Sequence, residues 1–563
     1  MAVSRRPFIF TIFFIAGIVC ITSFFNVSGS DSAEKANIQI SVDAGEITGS
    51  FPHIWNGYLG NLCLTLSPIG AELLERINGT STLPFYRRCW GITSSGTCNS
   101  TKSYGALNIY HEDADGNPFY DFTLFDQVFD ILVSKNIIPI MCIGFMPDLL
   151  STNTNRVNDE NIYPPNDYDK WYNLVYAMVG HCVDRYGRKT AAKWKWELWN
   201  EPDIKNYWRS PEEDFFKLYD YTAAAVKNAF PEAEVGGIAV THSQRRGKPL
   251  MIKFIRHCLE GTNYRDSSKG SPLDFISFHV KGSSMDIQKR GNYTSEKLIK
   301  NIPEFSPSLQ YIMEHMKGNM EAIASIPGTD GIPVYITECD IDIGVGTSVY
   351  ENPILSHRNT EYHAAFQCAL AKEMLDIRRK YSSNPVERLI IDSFYYPGRR
   401  IFEGQRTLFT ADGIEKPVFN AFRMLGKMGT RRVGFECSRK GAVDGFASLA
   451  DDNSIQIMVY NYNEDMKYRE TKEIDVSVKF PKPGSYKLQH YRIDQKFSNS
   501  FSVWKSLGKP VVPDDKQMSI IRGKMGLELY EPEKRINLNN QEITMSLVLP
   551  HHSVSLLVFQ PVE

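Results

Sequence analysis

Two glutamates in apolar surroundings are the residues of this chain best suited to do chemistry. The first lies in Lys193-Trp194-Lys195-Trp196-Glu197-Leu198-Trp199-Asn200-Glu201-Pro202-Asp203, which alternates aromatic and polar residues as far as Trp199. That alternation reads as a strand, and the strand must end at Asn200-Glu201-Pro202, because proline lacks a ladder donor and restrains the residue before it. Glu201 is therefore expected at a strand tip, beside an amide and below aromatic rings. The second is Glu338, which closes the apolar run Val334-Tyr335-Ile336-Thr337-Glu338. Cleaving a glycosidic bond with retention of configuration needs two carboxyls roughly 5 Å apart, one protonated to release the leaving oxygen and one ionised to attack the anomeric carbon. This reading makes Glu201 the acid/base and Glu338 the nucleophile. A lone glutamate at a strand end is usually a solvated charge; the Trp-Asn-Glu-Pro context and the second strand-end glutamate reverse that reading here.

Further candidates surround this pair. Asn200, next to the acid, is expected to hold the 2-hydroxyl of the sugar, a contact that tightens in the transition state. His279 ends an apolar strand and is expected to orient Glu338, against the plainer reading of a satisfied core histidine. Lys281, two residues on, and Arg406, in Gly404-Gln405-Arg406-Thr407, would favour an anionic sugar if they face the pocket. Tyr335, His53, Trp55 and Trp90 are second-tier candidates for its walls.

Such side chains must be carried by a rigid frame, and the chain alternates strand and helix patterns for most of its length. Candidate strands are Ile54–Leu59, Phe85–Ile92, Ile137–Phe145, Trp194–Trp199, Glu234–Val240, Asp274–Lys281, Val334–Glu338 and Leu389–Tyr396. Between them, Phe122, Phe125, Val128, Phe129 and Leu132 share one helical face, as do Trp171, Leu174, Val175 and Met178. Eight apolar strands alternating with helices predict an α/β fold, a (β/α)8 TIM barrel over residues 51–426. Such barrels carry their chemistry at strand C-termini, where Glu201 follows the fourth strand and Glu338 the seventh. Beyond residue 427 the helical rhythm fades into Ser454–Tyr460, Tyr486–Tyr491, Ile543–Leu549 and Val554–Phe559, a β-sandwich over 427–563. The alternating Ile38–Val42, in the 31–50 segment, is expected to join it.

Bulk composition excludes other classes. Lys+Arg 63 against Asp+Glu 65 leaves no electrostatic footprint for nucleic acid. No Cys-x-x-Cys or His-x-x-x-His pair occurs, so neither a metal site nor a cofactor is expected. Residues 1–30 have the layout of a secretory signal peptide, with Arg5 and Arg6 before an apolar run and Ser28-Gly29-Ser30 after it. The run is long enough to act instead as a signal anchor, the one route by which the chain would engage a membrane. Sequons at Asn26, Asn78, Asn99 and Asn292 agree with export, to a lysosomal or extracellular destination. Of ten cysteines, Cys20 belongs to the leader; nine remain, so at least one thiol is free. Cys89 and Cys98 bracket a short loop and are expected to pair. His551-His552 are expected at the surface.

Trp199-Asn200-Glu201-Pro202-Asp203 and Thr337-Glu338 resemble the two active-site signatures of glycoside hydrolase family 39, a set of retaining barrel enzymes that contains β-xylosidases and α-L-iduronidases. Arg256–Tyr264, Asp274–Gly282, Gln405-Arg406-Thr407-Leu408 and Leu507–Pro513 are more similar to the lysosomal iduronidases. Gly116–Tyr120, Gly144–Pro147 and Gly413-Ile414-Glu415-Lys416-Pro417 lean towards the xylosidases. The resemblance runs from about residue 50 to the C-terminus, without the fibronectin-like third domain of the animal iduronidases. It implies an oligosaccharide or glycosaminoglycan substrate, with Glu201 and Glu338 catalytic and Asn200, His279, Lys281 and Arg406 on the sugar. Lys281 and Arg406 would hold a uronate carboxylate. Cys89 stands where the iduronidases carry a sugar-touching histidine, and Ser393–Glu403 is shorter than their segment, which holds a substrate-binding aspartate. The expected activity is release of terminal α-L-iduronic acid; the alternatives are a neutral β-xylosidase and, in another class, a non-catalytic sugar-binding protein on the same fold.

Overall fold

A computed structural model describes residues 37–99, 105–157, 160–283, 307–350, 352–398, 400–439 and 441–562. The expected leader and the sequons at Asn26 and Asn292 lie outside these residues, as does part of the one at Asn99. Among the described residues no helix is long and apolar enough to cross a membrane.

Parallel strands buried on both faces are expected to be largely apolar; the barrel strands are largely buried, and charges they carry, such as Arg88, Lys195 and Glu197, are paired. They are Gly57–Leu59, Tyr86–Cys89, Ile138–Ile143, Lys195–Leu198, Glu234–Val240, Phe275–Lys281, Val334–Asp340 and an eighth in two pieces, Val386–Leu389 and Ile391–Asp392. Each pairs in parallel with the next. The first piece of the eighth strand pairs with the seventh and the second with the first strand, which closes the sheet. At that seam a Cβ on Gly57 would meet Leu389 O at 2.7 Å and Ile390 Cδ1 at 2.3 Å, so only glycine lets the first and eighth strands approach. The ladder begins later than expected in the first strand, since Ile54 and Trp55 form a turn, and ends earlier in the eighth.

The crossover helices bury the stripes read from the sequence. Thr123–Ser134 buries Phe125, Val128, Phe129 and Leu132. Tyr168–Tyr186 starts where the Asp167 carboxylate accepts from the Asp169 and Lys170 amides, and it buries Trp171, Leu174, Val175 and Met178.

A second sheet has ten strands, antiparallel except that Ile38–Ser50 runs parallel to Lys472–Lys479 while pairing antiparallel with Arg431–Cys437. Its strands are buried on both faces where they meet the barrel. Ile455, Ile457, Val459, Leu557 and Phe559 fill the interior of the sandwich, whereas Met458, Tyr460, Val554, Leu556 and Val558 join the barrel core.

Two expectations are corrected. Cys98 pairs with Cys63, not Cys89, with Cα atoms 5.4 Å apart. Cys89 ends the second barrel strand and is fully buried as a free thiol. His552 is buried, not superficial, packed against the Tyr362 ring and near Tyr462 and Tyr468; only His551 is partly exposed. The Asn78 amide nitrogen, the atom a glycan on this sequon would occupy, donates to Lys135 O at 2.8 Å.

Candidate active site

Two local irregularities turn the catalytic candidates into one cavity. After Leu198 the chain leaves the fourth strand with Trp199 at φ 66° and Glu201 at φ 45°. Left-handed backbone at non-glycine residues costs on the order of 1–3 kcal/mol each and persists only where neighbours enforce it. Here Trp199 N donates to Ile143 O at 2.9 Å, the Trp199 indole to Tyr207 O at 2.7 Å, and Glu201 N to Ala239 O at 2.9 Å. Ala239 is itself at φ 52°, where the register of the fifth strand shifts against the sixth. A regular strand would send consecutive side chains to opposite faces; this turn lets both Asn200 and Glu201 line the cavity.

The second irregularity is at Thr337. Ile336 pairs with Phe278 but Glu338 with His279, so Thr337 is an extra residue in the seventh strand. Beyond it, Glu338 and Asp340 run abreast of His279 and Lys281. These four side chains project to the same end of the barrel.

The cavity has a volume of about 520 Å³ and is lined by, among others, Asn200, Glu201, Lys281, Glu338, Asp392 and Arg406. Oxygens of Glu201 and Glu338 and a ring nitrogen of His279 lie within 4.8 Å of one another. Arg88 is central beneath them. Its Nε donates to Glu197 Oε2 at 2.6 Å, and its NH1 to Asn200 Oδ1 at 2.9 Å and Glu338 Oε1 at 3.0 Å. Lys281 Nζ donates to Glu338 Oε2 at 2.6 Å and also pairs with Asp340. Arg406 reaches Asp392 Oδ2 at 2.9 Å and Asp340 Oδ2 at 3.2 Å.

This arrangement splits the two glutamates electrostatically. Burial, then the negative charge of Glu338, pushes Glu201 up to about 8. Burial would raise Glu338 too, but the positive groups around it (His279, Lys281 and Arg88) outweigh burial and hold it well below the usual carboxylate range. His279 is itself driven down to about 4 by burial, so at neutral pH the holding charges are Lys281 and Arg88. The result is one protonated and one ionised carboxyl, the division of labour that acid/base and nucleophile require. Asp392 is raised to about 6, by burial first and Glu338 second.

Glu201, Glu338, Asn200, Lys281 and Arg406 all line the cavity. His279 departs from expectation: its Nδ1 is 2.8 Å from Glu201 Oε1 and 3.7 Å from Glu338 Oε2, so it serves the other glutamate. Its Nε2 is buried without a partner. An orphaned acceptor costs less than an orphaned N–H, which favours the tautomer whose Nδ1–H donates to Glu201 and leaves Oε2 to carry the proton. Lys281 and Arg406 face the cavity already matched by Asp340, Asp392 and Glu338. Of the second-tier residues, Trp90 lines the cavity. Trp55 and His53 stack on each other beside Phe51, and Tyr335 packs on Phe275. Cys89 is buried with its thiol pushed up to about 12 by burial.

Sequence reasoning missed Arg88, Glu197, Asp340 and Asp392. Arg88 and Glu197 were visible as charges inside apolar strands, where an unpaired charge is untenable. Asp392, ending the eighth strand, is the acid that this segment delivers to the cavity. Glu201, His279 and Glu338 have the spacing of a metal site, but both Glu338 oxygens are occupied by Arg88 and Lys281, whose charge opposes a second cation.

The model of the family described as glycosyl hydrolases family 39 matches residues 102–529. A β-xylosidase of Geobacillus stearothermophilus is 26% identical over 470 residues, covering 81% of this chain and 84% of its own. The α-L-iduronidase of Homo sapiens is 23% identical over 436 residues, 72% of this chain and 61% of its own. A solved structure described as the bacterial orthologue of human α-L-iduronidase aligns with a TM-score of 0.76 at 18% identity, over 93% of this chain and 84% of that one. At that identity the likeness speaks for the fold.

Proposed function

Because this chain belongs to the glycosyl hydrolases of family 39, we propose that it is a retaining exo-glycosidase in which Glu201 and Glu338 perform a double displacement. The observation that carries this reading is that an oxygen of Glu201 and one of Glu338 lie within 4.8 Å of each other, in surroundings that raise the first carboxyl and lower the second. Retaining enzymes keep their carboxyls about 5–5.5 Å apart, whereas inverting ones leave about 6.5–9.5 Å for a water. In the first step a Glu338 oxygen bonds to the anomeric carbon while Glu201 gives its proton to the departing oxygen. In the second, Glu201 takes a proton from water, the hydroxyl bonds to the anomeric carbon, and Glu338 is released. Arg88 holds both Asn200 and Glu338, which keeps the 2-hydroxyl binder and the nucleophile in one register.

The substrate reading is terminal α-L-iduronic acid. Lys281 and Arg406 support it: both face the cavity, both stay protonated at any working pH, and Lys281 has three N–H donors for two protein partners. One specific observation favours the neutral β-xyloside instead. Asp340 and Asp392 already balance those cations, and Asp392 offers a carboxylate to sugar hydroxyls. Passage through the secretory pathway is part of the proposal, supported by the leader-like residues 1–30 and by the Cys63–Cys98 disulfide. The deciding experiment is turnover of matched fluorogenic α-L-iduronide and β-D-xyloside at acidic pH. Faster iduronide cleavage is expected; faster xyloside cleavage overturns the substrate reading, and turnover of neither, nor of other glycosides, overturns the enzymatic one.

A further inference from the structure

The segment Gly413-Ile414-Glu415-Lys416-Pro417 stands out in the sequence yet takes no part in the chemistry above. Lys416, just before the helix Pro417–Gly426, is 1% exposed. Among the described residues no carboxylate lies within ion-pairing reach of it. Its Nζ donates instead to Gln405 O at 2.6 Å and to Thr407 Oγ1 at 3.1 Å. Those two acceptors flank Arg406. The Arg406 backbone belongs to no strand or helix. Among the described residues it is tied only by its N–H to Val345 O at 3.0 Å and by its carbonyl to Ser393 N at 3.3 Å. The side chain, by contrast, must reach Asp392, Asp340 and the Asp342 carbonyl together.

We propose that Lys416 is a positioning residue for the sugar cavity: it holds the Gln405 carbonyl and the Thr407 side chain, on either side of Arg406, and so aims the guanidinium at Asp340, Asp392 and the bound sugar. The inference rests on the reading of this cavity as a sugar site. An unpaired buried lysine is otherwise hard to account for, because a leucine or methionine would fill the same space without the desolvation cost. Burial, with repulsion from Arg358, pulls its pKa down to about 7. The neutral amine still has two hydrogens, one for each acceptor, so the clamp does not depend on the charge.

The test uses the full chain and steady-state kinetics on the better of the two fluorogenic glycosides, with thermal melts alongside. Lys416→Met is expected to raise KM about tenfold while kcat changes less than about threefold, the loss of two buried hydrogen bonds acting on ground-state binding. In an Arg406→Gln background the same change is expected to move KM less than twofold, since its target is gone. Thr407→Val, nearly isosteric, removes one of the two Lys416 bonds together with the Thr407 hydroxyl's donation to Phe409 O, and should raise KM about threefold without loss of folded protein. An equal KM penalty in both backgrounds, or an unmoved KM in either Lys416→Met or Thr407→Val, overturns the proposal. Should Lys416→Met fail to fold, Thr407→Val alone decides. A wild-type chain inactive on every glycoside overturns the sugar-site reading and this inference with it, whereas an active wild type with an unmoved KM overturns this inference alone.

Discussion

Replacing Arg88 by methionine should separate stability from activity at this site. The guanidinium is fully buried and makes charge-assisted bonds to Glu197, Asn200 and Glu338 at 2.6, 2.9 and 3.0 Å. Hydrogen bonds to charged groups contribute about 1.5–3 kcal/mol each. Two of the three act on Asn200 and Glu338, the residues proposed to meet the sugar, so about 3–6 kcal/mol of transition-state stabilisation is at stake, roughly 10²- to 10⁴-fold in kcat/KM. The third bond matters for the fold: Glu197 would become an unpaired buried carboxylate, a loss of about 3–5 kcal/mol. Adding Glu197→Gln removes that charge, so the double variant should regain stability in a urea melt and remain inactive. The pH profile gives an independent check. Arg88 is one of the cations holding Glu338 low, so its loss should move the acid limb of kcat/KM upwards. An Arg88→Met enzyme within about fivefold of wild type, or a double variant that recovers activity together with stability, would refute this reasoning.

Other outcomes follow from the same geometry. Lys281→Ala should slow both glycosides, because Lys281 contacts Glu338 at 2.6 Å, and slow the iduronide further, by about 1.5–3 kcal/mol, for the lost charged contact to its carboxylate; an effect confined to the uronide would contradict the role at Glu338, and an equal effect on both would contradict the role at the uronate. Glu201, raised to about 8 by burial and by Glu338, should set the alkaline limb of kcat/KM near that pH. A carboxyl whose folded pKa lies above its unfolded one leaves stability intact below about pH 4 and erodes it as pH rises towards 8. Glu201→Gln should therefore melt with wild type at pH 4 and above it at pH 8, and equal melting at both would count against the shift. Cys63→Ser should cost about 3–4 kcal/mol for the lost 35-residue cross-link, while Cys89→Ser leaves the disulfide in place by mass spectrometry.

The barrel was legible because most of its strands are buried on both faces and centre on short apolar runs; Glu234–Val240 was located to the residue. The sandwich was read less fully. Lys472–Lys479 alternates Ile474, Val476 and Val478 with polar residues, a half-exposed strand pattern that went unread, whereas Lys534–Leu538 is short and mostly polar. Glu201 and Glu338 stood out because each closes an apolar strand. What lay beyond reach was register. Whether His279 meets Glu201 or Glu338 depends on the extra residue at Thr337 and on the left-handed turn at Glu201, and neither has a signature in composition. Cys63 and Cys98 meet because loops after the first and second strands share one rim, a fact of topology rather than of spacing.

The central claim is that Glu201 and Glu338 act by double displacement. Proton NMR of the first sugar released, recorded before mutarotation, tests it most directly. The account predicts a product with the anomeric configuration of the glycoside that was cleaved; a first product of inverted configuration would contradict it.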